Sequence, residues 1–230
     1  MSDRDAYTAL MCSLPSSERL FIAKKPPLSR LRLDRRLKAL APEDAAVLAR
    51  LEHVLSWNAY AMDVTEAAVV KRAKDTLAHI PQPTLRRIVL ERMDLRTAMA
   101  ALRLRRDGKT PPPGPFGVGR WERHIPAHWS ETAFGLSRAM PWLPEAQRLL
   151  EADEPLALER HILETSYRLL KRHATRHLFD FEAVAIYVLS WSIFDRWAQS
   201  VPAAAAHRFD TLAAQAMAKR GEIRFQGEHA

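Results

Sequence analysis

The chain has 230 residues, of which 47% are apolar and 27% charged, and 35 Lys and Arg stand against 27 Asp and Glu. These proportions are those of a globular chain with a sizeable core, and they exclude a disordered or collagen-like protein. The net charge of +8 favours an anionic partner, whether nucleic acid, phospholipid headgroups or an acidic protein surface.

Asp3 and Asp5 precede the first apolar stretch, whereas a secretory leader is basic there. From Tyr7 to Leu14 the apolar period fits a short strand or a helix equally. A basic cluster follows, from Lys24 and Lys25 through Arg30, Arg32, Arg35 and Arg36 to Lys38. Pro42 with Glu43 and Asp44 marks a helix start, since proline is tolerated in the first turn and acids suit the positive end of the dipole. Val47, Leu48, Leu51, Val54 and Leu55 then recur at helical spacing. Pro81 and Pro83 end that run and open another, carried by Leu85, Ile88, Val89, Arg92, Leu95, Met99 and Leu102 as far as Gly108.

Only seven glycines occur, and four of them, Gly108, Gly114, Gly117 and Gly119, lie in one segment with Pro111, Pro112, Pro113 and Pro115. Proline removes amide donors and fixes φ, so residues 108–119 cannot continue a helix or occupy a central strand. The expectation is an all-α protein of two helical lobes, 1–107 and 120–230, joined by this linker. In the second lobe Leu163, Tyr167, Leu170 and Ala174 step at helical spacing, and Asp180 is placed to cap a further helix. Residues 181–197 carry only Glu182, Asp195 and Arg196 as charges, so this helix is expected to be buried on nearly every side. It is read as the centre of the second lobe, with Tyr187, Glu182 and Asp195 as structural residues and the two acids ion-paired. Pro202 begins a last, Ala-rich helix to about Lys219.

No apolar run reaches the roughly 20 residues of a membrane span. The single cysteine, Cys12, excludes a disulfide framework and any Cys-based zinc module. Among Leu10, Met11 and Leu14 it reads as a small buried hydrophobe. Phosphate loops, GxGxxG, HExxH and GxSxG turns are all missing. His173 and His177 are four apart and offer the geometry of a metal pair, but they also suit the negative end of a helix. His124 and His128 share that spacing with Pro126 between them. No catalytic residue, metal or cofactor is expected.

The second basic cluster is the stronger binding candidate. Arg92, Arg96 and Arg103 share a helical face at i, i+4 and i+11, and Arg105 and Arg106 stand at the helix end, with Asp94 as the one acid within residues 92–106.

Three stretches resemble the family of C-type central-stalk subunits of V/A-type rotary ATPases (d-type in eukaryotes), in its shorter bacterial branch. The first runs from Tyr7 to Leu14-Pro15 and on to Lys25-Pro26-Pro27-Leu28-Ser29. The second is Glu91-Arg92-Met93-Asp94-Leu95-Arg96 with Leu102-Arg103-Leu104-Arg105-Arg106-Asp107-Gly108, similar to the family's Asp-Leu-x-Asn and Leu-Arg-x-Lys helix end. The third is Phe179-Asp180-Phe181-Glu182-Ala183-Val184-Ala185-Ile186-Tyr187-Val188-Leu189. The chain departs from the pattern at Thr97, where the family has Asn, and after Tyr187, where Ser192-Ile193-Phe194-Asp195-Arg196-Trp197 replaces Glu-Ile-Arg-Asn. It also has room for about two of the three helical domains of longer members. The resemblance implies a non-catalytic rotor socket, peripheral on the cytoplasmic, inner face of the membrane, with the central shaft and the membrane rotor ring as partners. Two other classes compete: a basic helical nucleic-acid-binding module, and a metal-dependent helical enzyme resting on His173 and His177.

Overall fold

The computed structural model describes residues 3–16, 21, 25–55 and 66–200. Within them the chain is all-helical: α1 (Asp3–Ser13), α2 (Arg30–Leu37), α3 (Pro42–Leu55), α4 (Glu66–Ala78), α5 (Pro83–Arg106), α6 (His124–Ala127), α7 (Leu143–Glu151), α8 (Pro155–Ala174) and α9 (Phe181–Ser200). A 3-10 turn covers Thr132–Gly135, and no strand occurs among the described residues. The ambiguous stretch from Tyr7 is helical as far as Ser13, where α1 ends. Prolines open α3, α5 and α8 in their first turns, as their fixed φ allows. Asp180 caps α9, its carboxylate accepting from the Ala183 N–H at 2.8 Å. The helix expected over 202–219 lies outside the described residues. None of the described helices is long and apolar enough to cross a membrane.

Two hydrophobic cores form, and the Gly/Pro segment does not divide them. The first joins Tyr7, Leu33, Leu51 and Val54 to Leu85, Met93, Leu163, Leu170 and the length of α9. The second joins Leu95, Ala98 and Leu102 to Ile125, Phe134, Leu143, Leu150, Leu158 and Ile162. The boundary therefore falls inside α5, between Met93 and Leu95, and inside α8, between Ile162 and Leu163. A 24-residue helix such as α5 is about 36 Å long, more than one small core can cover. Each core draws on residues from both 1–107 and 120–230, and α5 and α8 contribute to both cores.

Helix α9 is buried from Phe181 to Phe194 except at Glu182 and Ser192, as its apolar sequence requires. It centres the first core rather than a separate second lobe, packing on α1, α3, α5 and α8. Tyr187 Oη donates to the Pro15 carbonyl at 3.0 Å and Trp191 Nε1 to the Leu28 carbonyl at 2.8 Å. Each bond satisfies a polar group that burial would otherwise leave orphaned.

The end of the Gly/Pro segment is strapped onto α5. The Thr97 hydroxyl donates to the Val118 carbonyl at 2.9 Å and accepts from the Val118 N–H at 3.0 Å. One turn earlier, the buried Asp94 carboxylate accepts from the Arg120 N–H and from Arg120 Nε, both at 2.8 Å. The strap lies so close that a Cβ on Gly117 would sit 2.3 Å from Thr97 Oγ1, and one on Gly119 2.2 Å from Asp94 Oδ1. Both glycines also have positive φ, 75° and 124°, so two independent reasons exclude a side chain there.

Candidate functional site

Along the boundary between the cores runs a groove of about 570 Å³, lined mainly by α5 and α8, with the end of the α7–α8 turn, the last two residues of α3 and single residues of α7 and α9. Its apolar lining includes Leu95, Met99, Leu150, Leu158 and Ile162, all buried members of the second core. Arg92, Arg96, Arg103, Arg106 and Arg196 also line it, with Asp153, Glu154 and Glu159 as the acids. Glu159 is engaged by Arg196 Nε at 2.6 Å, and Glu154 lies 3.7 Å from Arg148. The groove thus combines a hydrophobic floor with an excess of guanidinium groups. Such a surface suits an amphipathic partner bearing carboxylates, because arginine holds a carboxylate bidentately while the floor takes up apolar side chains.

The structure brings together Arg92, Arg96, Arg103 and Arg106 of the five arginines singled out in the sequence. The guanidinium of Arg92 also donates to the Ser166 hydroxyl. Arg103 is exposed and forms no ion pair among the described residues. Arg105 stands apart. Its Nη1 donates to the carbonyls of Trp129 and Glu131 at 2.9 and 2.7 Å, and its guanidinium lies 4.5 Å from the Phe134 ring centre. Partial burial lowers its pKa from the usual arginine value. Arg105 is a tertiary clamp that holds the strained 3-10 turn, where Ala133 and Phe134 adopt φ of 48° and 53°.

The remaining candidates lie away from the groove. His173 bonds to Glu91 at 3.0 Å. His177 is held between the Thr84 hydroxyl at 3.0 Å and Asp180 at 2.7 Å. The two histidines therefore point to different partners. His177, Asp180 and Glu182 do form a group whose ligand atoms lie within 4.8 Å of one another, but both nitrogens of His177 and both oxygens of Asp180 already serve the α5 contact and the α9 cap. His124 and His128 stack at 4.0 Å, and bond to the Phe134 carbonyl and Glu131 respectively. Glu182 and Asp195 are half-buried at the edge of α9. Asp195 accepts from Gln199 at 2.7 Å, while Glu182 forms no ion pair among the described residues. Cys12 is exposed, not buried: α1 turns Tyr7 and Leu10 inward, and Cys12 falls outside that face.

A larger cavity, about 850 Å³, lies between the α2–α3 region and the end of α9. Its chief cation is already neutralised, since Arg30 holds Glu52 with both terminal nitrogens and Asp34 through Nε. The sequence signal for the groove was the arginine spacing on α5. Its other wall, Leu150 to Ile162 and Arg196, gave no such signal, because only the fold sets those residues opposite α5. No protein-family model, curated protein or solved structure matches this chain.

Proposed function

We propose that the chain is a non-catalytic central-stalk component of a V/A-type rotary ATPase, seated on the membrane rotor ring and receiving the central shaft. The observation that carries this reading is the arginine-rimmed groove, a docking surface for an acidic, amphipathic protein segment of the kind a shaft or ring loop presents. The stretches that carry the resemblance meet in the fold. The first and third stretches bond to each other through Tyr187 and Pro15, and the Asp94 and Thr97 of the second hold the strap. Thr97 donates and accepts at one backbone position, the two roles that the amide of an asparagine would fill.

Torque transfer requires a stiff connector, and α5 and α8 each run unbroken through both cores. A load applied along the groove is carried by these two helices into the α9 core without crossing a flexible joint. The groove's guanidinium groups suit the carboxylates of an acidic protein segment, which arginine holds bidentately. Co-purification of the tagged chain with the shaft and ring proteins of its host's rotary ATPase tests the reading. Recovery of the chain with nucleic acid and without those proteins would overturn it.

A further inference from the structure

The turn between α8 and α9 exposes two adjacent large apolar side chains, Leu178 at 68% and Phe179 at 45% of full exposure. Their flanks are fixed: His177 is bonded to Thr84 on α5 and to Asp180, and Asp180 caps α9. The pair is therefore presented by an ordered turn. Burying it against another surface removes two side chains from water at no further ordering cost to the backbone.

The same end of the molecule is basic. Lys171 and Arg172 are exposed on the last turn of α8, and Arg176 just beyond it. Arg86 and Arg87 are exposed on the first turns of α5, which the Thr84–His177 bond joins to this tip. The acids here are largely spent within the fold. Glu91 bonds to His173 and lies 3.8 and 3.9 Å from Arg87 and Arg172, while Asp180 serves His177 and the cap. Glu182 is half-buried.

An anionic bilayer answers both features at once. Its headgroup phosphates engage guanidinium and ammonium groups, and the acyl boundary just beneath them takes up Leu and Phe. We propose that this tip docks on an anionic phospholipid surface, with Leu178 and Phe179 entering the interface and Lys171, Arg172, Arg176, Arg86 and Arg87 around them holding headgroups. The inference stands on the tip alone and does not depend on the rotary reading or on the groove.

The test uses the full chain and sedimentation with phosphatidylcholine vesicles, with and without phosphatidylglycerol, at low and high salt. The wild type is expected to sediment only with phosphatidylglycerol, and less so as salt rises. Leu178→Ser/Phe179→Ser should weaken binding roughly tenfold, and Lys171→Glu/Arg172→Glu should abolish it. All four positions are exposed, and circular dichroism checks that each variant folds. In Phe179→Trp, emission should shift to the blue, relative to wild type, when anionic vesicles are added. Absence of wild-type binding to anionic vesicles at low salt overturns the proposal, as does equal binding to neutral ones. Undiminished binding by the double serine variant overturns it too. So does a tip that ignores vesicles but is needed for binding a protein.

Discussion

Tyr187 and Pro15, 172 residues apart in sequence, are joined by a hydrogen bond of 3.0 Å from the phenol to the backbone carbonyl. This bond fastens the chain that follows α1 to the middle of the most buried helix. Tyr187→Phe keeps the ring and leaves the carbonyl unsatisfied, so it should lower unfolding free energy by about 1 kcal/mol. Tyr187→Ala also leaves a cavity and should cost about 3–5 kcal/mol. Urea denaturation of the two variants separates the terms, and an effect of Tyr187→Ala below about 0.5 kcal/mol would place the ring at the surface.

The same phenol sets an alkaline limit. Burial raises the pKa of Tyr187 from its ordinary value of 10 to about 12. The folded state therefore holds this proton more tightly than the unfolded chain. Its contribution is complete below pH 10 and is lost as the pH rises through about 12. Stability of the wild type should fall over that interval by more than that of Tyr187→Phe, as read from urea midpoints at each pH.

Asp94 makes the corresponding prediction in acid. Burial raises its pKa above the ordinary carboxylate value, outweighing the lowering by Arg120. The folded state takes up this proton more readily, so its contribution is complete below about pH 4, the unfolded-chain value, and is lost as the pH rises through the folded value. Asp94→Asn removes this titration but keeps an acceptor for the Arg120 N–H. Its stability should vary less with pH above about 4 than the wild type's. Parallel pH profiles for the two proteins would contradict the assignment.

The strap predicts a contrast among glycines. Gly117→Ala and Gly119→Ala each force a Cβ into Thr97 or Asp94 at a positive φ, and should each destabilise by about 2–4 kcal/mol. Gly114→Ala meets nothing within 4 Å and should be neutral or slightly stabilising. Brief trypsin treatment should cut first at Lys109, in the exposed part of the segment, rather than at Arg120, which Asp94 holds.

Much of this architecture was legible one helix at a time. The proline starts of α3 and α5, the Asp180 cap and the burial of α9 follow from local rules that need no partner. The assignment of helices to cores did not, because the Gly/Pro segment breaks the chain without breaking the packing. Nothing in the sequence says that Val118 returns to Thr97. The region from α6 to α7 was also opaque: its polar contacts join the side chains of Arg105, His124 and Gln147 to the backbone groups of Trp129, Phe134 and Ala133, which leaves no period to read. For the groove, the α5 spacing identified Arg92, Arg96 and Arg103, and the helix end added Arg106, which lines it, and Arg105, whose side chain leaves the helix in another direction.

That difference can be measured. Arg105→Ala should leave the Trp129 and Glu131 carbonyls short of a donor and lower stability by about 1–3 kcal/mol. Arg103→Ala, on an exposed side chain, should stay within about 0.5 kcal/mol of wild type. Equal losses would dissolve the distinction between clamp and rim.

The most direct measurement compares wild type and Arg96→Glu/Arg103→Glu for binding to the assembled shaft and ring of the host's rotary ATPase, with duplex DNA as the second ligand. Both proteins are first shown to have the same helix content. Docking through the groove predicts that the double variant loses roughly thirtyfold or more in affinity for the assembly, corresponding to ~2 kcal/mol for disrupted buried charged contacts. Unchanged affinity for the assembly, with binding to DNA lost, would contradict a rotor role for the groove and favour nucleic acid as its ligand.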